Sequence, residues 1–293
     1  MAVKIAIASG KGGTGKTTVS LNLFHYFRQV LDTSVQLIDC DVEEPNDKLF
    51  LNDHQAQKIQ TVNQLIPQID TNNCTFCRQC VEYCEFNAIV VIPPAQFAEV
   101  NPALCHSCGA CLHACNTPNA IVEQAHPIGQ IQNYTENGEL NFIEGRLNIG
   151  SAMQTMLIKE VIKSPTVNAD IQLLDSPPGT SCPVVATVNN VDYCILVTEP
   201  SPFGLHDLKL MVDLLHELNV PFGVIINKSD NHYPEMDAYF EEQNIEVLGR
   251  IPFSTEYAKR YAQGRIFENI PKDVEEAYKE IISKLQTKVC YYA

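Results

Sequence analysis

Residues 3–18 read Val-Lys-Ile-Ala-Ile-Ala-Ser-Gly-Lys-Gly-Gly-Thr-Gly-Lys-Thr-Thr. Val3, Ile5 and Ile7, with Ala between them, predict a short strand buried on both faces. Gly10 to Thr17 match G-x-x-x-x-G-K-[ST], a loop whose backbone N–H groups converge on phosphate oxygens at a helix N-terminus. Lys16 is expected to reach the β- and γ-phosphates, and the Thr17 hydroxyl to bind Mg2+. Val19, Leu23, Phe27, Val30 and Leu31 then recur at helical spacing. Val35 to Ile38 predict a second strand, ending in Asp39-Cys40-Asp41. Strand, loop, helix and strand in this order make a βαβ unit.

Working outward, α/β periodicity stops at about residue 71 and returns in a helical pattern from Met153 to Lys163. Strands are predicted at Ile171–Leu174, Tyr193–Val197 and Phe222–Ile226, with a short one near Glu246–Leu248. Helices are predicted at 204–218, 233–243 and 273–287. Between the two stretches lie Cys74, Cys77, Cys80 and Cys84, spaced C-x2-C-x2-C-x3-C, and Cys105, Cys108, Cys111 and Cys115, which repeat the spacing. The repeat extends further. Cys84-Glu-Phe-Asn-Ala-Ile matches Cys115-Asn-Thr-Pro-Asn-Ala-Ile with one added residue. Residues 124–150 give turn signals, with Asn137-Gly138 favouring a hairpin. The reading is a discontinuous α/β domain, 1–70 and 124–293, with an inserted domain at 71–123.

Thiolates at this spacing wrap iron–sulfur cubanes. Zinc is the alternative, since C-x2-C pairs serve it too, but zinc sites close with four ligands from two pairs and two four-cysteine runs overshoot that. His106 and His113 sit beside cysteines and are read as supporting or surface residues. Of the remaining cysteines, Cys194 is read as core and Cys290 as part of the C-terminal tail.

The form Lys11-Gly12-Gly13-Thr14-Gly15-Lys16-Thr17-Thr18 resembles the deviant Walker A loop of the MinD/ParA/Mrp/nitrogenase-iron-protein superfamily. That resemblance covers the chain outside the insert. It implies a mostly parallel P-loop NTPase sheet of the SIMIBI type with helices on both faces, ATP or ADP with Mg2+, and a nucleotide-dependent homodimer in which Lys11 reaches the partner's nucleotide. By the same resemblance Asp41, or next Asp39, activates the attacking water. Asp175 in Leu173-Leu174-Asp175-Ser-Pro-Pro-Gly179 holds Mg2+ through water, Gly179 senses the γ-phosphate, Asn227 contacts adenine, and the backbone at Pro252 and Phe253 covers the base. Cys182, seven residues after Asp175, matches the offset of a bridging cluster ligand in the nitrogenase iron protein. No second cysteine accompanies it, so it is read as structural. The insert resembles bacterial two-cluster ferredoxins. That implies one 4Fe–4S cluster on Cys74, Cys77, Cys80 and Cys115, and another on Cys105, Cys108, Cys111 and Cys84. It departs from them where Glu85 and Asn116 replace the proline after each fourth cysteine.

The chain has 293 residues and a net charge of -15. With only 20 basic residues and no dense run of them, a nucleic-acid partner is disfavoured. The N-terminus does not read as a signal peptide. The C-terminal segment balances Lys272, Lys279, Lys284 and Lys288 against Asp273, Glu275, Glu276 and Glu280, which does not favour an anionic membrane. Reduced thiolates suit the cytoplasm of a low-oxygen organism. The expected function is an ATPase linking hydrolysis to electron transfer toward a redox or metalloprotein partner. A cluster or metallocofactor assembly factor is the alternative, and a MinD-like positioning ATPase ranks below both.

Overall fold

Burial on both faces explains why the central strands are short and apolar. The computed structural model describes residues 2–31, 33–164, 169–189, 191–230 and 232–292, with backbone only at residue 31 and residues 289–292; the Cys290 side chain lies outside the described residues. The strands are β1 Val3–Ala8, β2 Val35–Asp39, β3 Gln55–Ile69, β4 Ile89–Ile92, β5 Phe97–Val100, β6 Ile121–Glu136, β7 Glu139–Leu147, β8 Ile171–Asp175, β9 Tyr193–Thr198, β10 Phe222–Ile226 and β11 Val247–Arg250. The helices are α1 Lys16–Leu31, α2 Gln79–Glu82, α3 Ala110–Ala114, α4 Gln154–Lys163, α5 Cys182–Val188, α6 Pro202–Leu218, α7 Pro234–Glu242, α8 Thr255–Ala262 and α9 Lys272–Tyr292.

Nine strands form one sheet in the order β11-β10-β9-β1-β8-β2-β7-β6-β3, and β4 pairs with β5 in a separate antiparallel pair. The pairs from β11 to β7 are parallel. The fold is therefore α/β with a mostly parallel sheet, and the chain's first strand lies inside it, between β8 and β9. In such sheets ligands bind beyond the carboxyl ends of the strands. Residues of adjacent strands in register share a face, so the pairing of Asp39 with both Asp175 and Glu144 lines up three acids at that edge.

The chain divides into two compact units. The first comprises Met1–Ile59, Ile131–Arg146 and Ile158–Ala293, and the second Gln60–Gln130 and Leu147–Leu157. In the first, α9 buries Val274, Tyr278, Ile281, Ile282 and Leu285, a stripe at helical spacing. Tyr278 stacks on Tyr26 of α1 at 5.6 Å. Cys194 is fully buried in β9, as its apolar setting predicts. In the second unit, Cys80, Ile89, Val91 and Cys111 form a small buried cluster.

One feature bears out the sequence reading and one differs from it. Residues 124–150 are dominated by β6 and β7, joined at Asn137 and Gly138, both with positive φ, as a tight turn requires. Strand β3 went unread. Its first seven residues are all exposed, and alternating burial begins only at Val62, continuing with Gln64 and Ile66.

Strand β11 meets α9 at Gly249, where a Cβ would lie 2.4 Å from the Ile281 side chain. Gly249→Ala is expected to cost about 1–3 kcal/mol by overpacking, read as a melting temperature lower by about 2–10 °C. An unchanged melting temperature would show that α9 yields freely.

Candidate nucleotide and thiol sites

The phosphate-binding loop closes around a cavity of about 430 Å3 lined by Lys11 to Thr18, Asp41, Asn227 and Pro252. Gly15 adopts φ +89°, and a Cβ there would meet the Asn227 amide at 2.2 Å. Only glycine satisfies both constraints. Asn227 ends up beside the loop because its strand, β10, lies at the same edge of the sheet. Its Nδ2 donates to the Thr14 carbonyl at 2.8 Å, locking loop to strand. The Gly179 N–H donates to the Ser9 carbonyl at 2.9 Å, which ties the segment after β8 to the loop.

Behind the loop, Lys16 Nζ donates to Asp175 Oδ1 at 2.7 Å, with side-chain exposures of 7% and 2%. The Ser20 hydroxyl donates to the same oxygen at 2.7 Å, and the Thr17 hydroxyl to Oδ2 at 3.0 Å. Burial works against the Lys16 charge, yet Asp175, with Asp47 and Asp41 behind it, outweighs that and holds Lys16 above the ordinary lysine range. Removing one partner of such a buried pair costs about 3–5 kcal/mol, because the other charge stays desolvated. Asp39 accepts the backbone N–H groups of Asp41, Asn46 and Asp47 at 3.0, 3.1 and 3.3 Å. Burial and then the neighbouring Asp175 carboxylate push the Asp39 carboxyl well above its usual range. Asp41 lines the cavity, and burial pushes it to about 6 against the pull of Lys16.

Lys11 is paired within the chain. Its Nζ donates to Glu199 Oε1 at 2.7 Å, and Lys228 Nζ approaches the other oxygen at 3.1 Å. Burial raises Glu199, but hydrogen bonds from the two lysines more than offset it and hold the carboxylate below its usual range. Half-open pairs of this kind contribute about 1 kcal/mol or less, so Lys11 is easily released.

Sequence reading passed over Glu199, Ser20, Asp47 and the α8 tyrosines Tyr257 and Tyr261, which also line the cavity. Glu199 had one signal, an acid at the carboxyl end of a buried strand. Asp47 had none beyond being a third acid close after Asp39 and Asp41.

In the second unit, one small cavity is lined by Cys74, Cys77, Cys80 and Cys115, with Ile69, Val91 and Ile121 as its apolar wall. The last cysteine of the second run thus joins the first three of the first. Cys84 packs with Cys105 beside Ile66, Ala88 and Val100. Burial and then Cys105 push the Cys111 thiol up to about 11, with Cys108 adding to the effect. The backbone repeats with the sequence. Phe76 and Ser107, Arg78 and Gly109, and Asn87 and Asn119 all have positive φ at matching positions. A left-handed Phe or Arg is unusual, and its recurrence at equivalent places marks a loop shaped around its cysteines. The residues fit a polythiolate-bound group. Cys74, Cys77, Cys80 and Cys115 share one cavity, Cys105 and Cys108 are near enough to act on Cys111, and the eight are free of disulfides. His106 stacks on Phe86 at 3.8 Å rather than pointing to a thiol. Cys182, at the start of α5, is exposed.

The sequence profile of the CobQ/CobB/MinD/ParA nucleotide binding domain matches residues 5–267. The chain belongs to this family. As a MinD/ParA-type P-loop ATPase it resembles an uncharacterized protein of Methanocaldococcus jannaschii, 30% identical over 266 residues and covering 90% of each chain. It is also 22% identical over 305 residues to an iron-sulfur cluster carrier protein of the same organism, covering 98% of this chain and 84% of the relative. The septum site-determining protein MinD of Pyrococcus horikoshii, solved with Mg-ADP, shares the fold at TM-score 0.59 and 19% identity, covering 100% and 99% of the two chains. Among the described residues no helix is long and apolar enough to cross a membrane.

The raised Asp41 pKa has a stability consequence. Between the ordinary carboxylate range and about pH 6 the folded chain binds more protons than the unfolded one, so this contribution falls as pH rises. In nucleotide-free protein, Asp41→Asn should therefore gain melting temperature over wild type progressively from pH 5 to pH 7. A pH-independent difference would contradict the assignment.

Proposed function

We propose that this MinD/ParA-type ATPase couples ATP binding and hydrolysis to electron transfer through two 4Fe–4S clusters, delivering electrons to a partner metalloprotein. The observation that carries the reading is the cavity bounded by Cys74, Cys77, Cys80 and Cys115, two segments of chain that meet although 35 residues separate Cys80 from Cys115. Cys105, Cys108, Cys111 and Cys84 would hold the second cluster. Such clusters supply one-electron chemistry when bound. The chain's own contribution is to set the thiols among apolar side chains.

At the other site, Lys16 and the loop amides from Gly10 to Thr18 would hold the phosphates of ATP. Thr17 and Asp175 would hold Mg2+, and Asn227 and Pro252 would flank adenine. Asp41, open to the cavity, is the group best placed to take a proton from water, with Asp39 beneath it bound by three amides. Gly179, on a hydrogen bond to the loop, is suited to respond to a γ-phosphate. Lys11 would leave Glu199 and reach the nucleotide of a second copy in a nucleotide-dependent dimer.

The relatives named iron-sulfur cluster carrier proteins favour a second reading, in which the cluster is cargo delivered to an apo-protein. Protein loaded with iron-55 separates the two: label stays on the chain in electron transfer and moves to the client in delivery.

The direct test is anaerobic purification with metal and sulfide analysis. Wild type should hold about eight irons and eight sulfides per chain. Cys77→Ser should lose about half and still bind ATP, while Lys11→Ala should keep the iron and lose most ATP turnover. Zinc without acid-labile sulfide would overturn the cluster reading, and full turnover in Lys11→Ala would overturn the dimer role.

A further inference from the structure

Asp47 belongs to none of the motifs above, yet it sits among them. It is fully buried, and neither carboxylate oxygen has a hydrogen-bond partner. One ligand oxygen from each of Asp39, Asp47 and Asp175 lies within 4.8 Å of the others. The charged groups acting most strongly on Asp47 are Asp39, Asp175 and Glu144, all acidic, and Lys16, the one cation. A buried carboxylate with no donor and one shared cation is costly unless something else neutralises it.

The neighbours are already committed. Both Asp175 oxygens are occupied, one by Lys16 and Ser20 and the other by Thr17. Asp39 accepts three backbone amides and keeps one lone pair on Oδ1. Asp47 alone of the three has both oxygens without a hydrogen-bond partner. If Lys16 turns to the phosphates of a bound nucleotide, three buried acids lose their cation together. A hard divalent ion, which takes carboxylate oxygens, is the charge that can replace it.

We propose that Asp47 is a positioning residue for the divalent cation that enters with the nucleotide, forming with Asp39 and Asp175 a three-carboxylate cradle that takes over from Lys16. This rests on the reading of the loop as a Mg-nucleotide site. It extends that site to a residue no motif predicts, and it makes the ion a requirement for releasing Lys16.

The test uses anaerobically purified full-length protein and calorimetric titration of ADP, with Mg2+ and with EDTA. Mg2+ should tighten ADP binding to wild type. In Asp47→Asn that tightening should shrink by about tenfold or more, as for other residues that support a metal's ligands. Binding in EDTA should be equal or stronger, and the nucleotide-free variant should melt at least as high, since an amide of the same size replaces a buried carboxyl with no hydrogen-bond partner. Asp47→Ala should shrink the Mg2+ effect in the same way. Undiminished tightening in both variants overturns the proposal and leaves the nucleotide site standing. A variant that melts lower or fails to fold also overturns it, because the carboxylate would then be holding the free protein together. Wild type that binds no nucleotide sinks the loop reading, and this proposal with it.

Discussion

One cation serves a row of buried acids. Lys16 lies against Asp175 at the carboxyl edge of the sheet, with Asp39 in register beside it and an oxygen of Asp47 within 4.8 Å of both acids. The loop, the end of β8 and the end of β2 meet through that charge. The same arrangement leaves the site in tension: the lysine that neutralises the acids is the lysine the loop aims at phosphate. On the proposed reading a nucleotide would arrive with a cation of its own, and its departure would return Lys16 to Asp175. The paired Lys11 and Lys228 on Glu199 are a weaker version of the same device, closer to solvent and easier to open.

The second unit solves a different problem. A small region with few large apolar side chains has little to build a core from, and here cysteines make up part of it. Cys80 and Cys111 are buried with Ile89 and Val91, and Cys105 with Ile66 and Ala88. Thiols packed this way among apolar side chains would line the proposed clusters. The left-handed positions recur at equivalent places in the two cysteine runs, which accords with that proposal.

Much of this was legible in the residues. The loop glycines, the order of apolar strands and helices, the Asn137-Gly138 turn and the cysteine spacing all act locally, so the sequence displays them directly. What escaped was non-local. Strand β3 starts with seven exposed residues and is held as a strand by its neighbour rather than by its own pattern. Glu199 matters to Lys11 across 188 positions of chain, and nothing near either residue announces the other. Asp47 looks like an ordinary polar residue opening a short 3-10 turn, and only the fold buries it beside Asp39.

The central claim is that nucleotide chemistry and thiolate-bound redox chemistry on this one chain are linked. The most direct test is an EPR-monitored redox titration of the anaerobic protein, free and with a non-hydrolysable Mg-ATP analogue. Linkage predicts a shift in at least one midpoint potential on the order of 50 mV, equivalent to a free energy of about 1 kcal/mol. Superimposable potentials and spectra in the two states would contradict it.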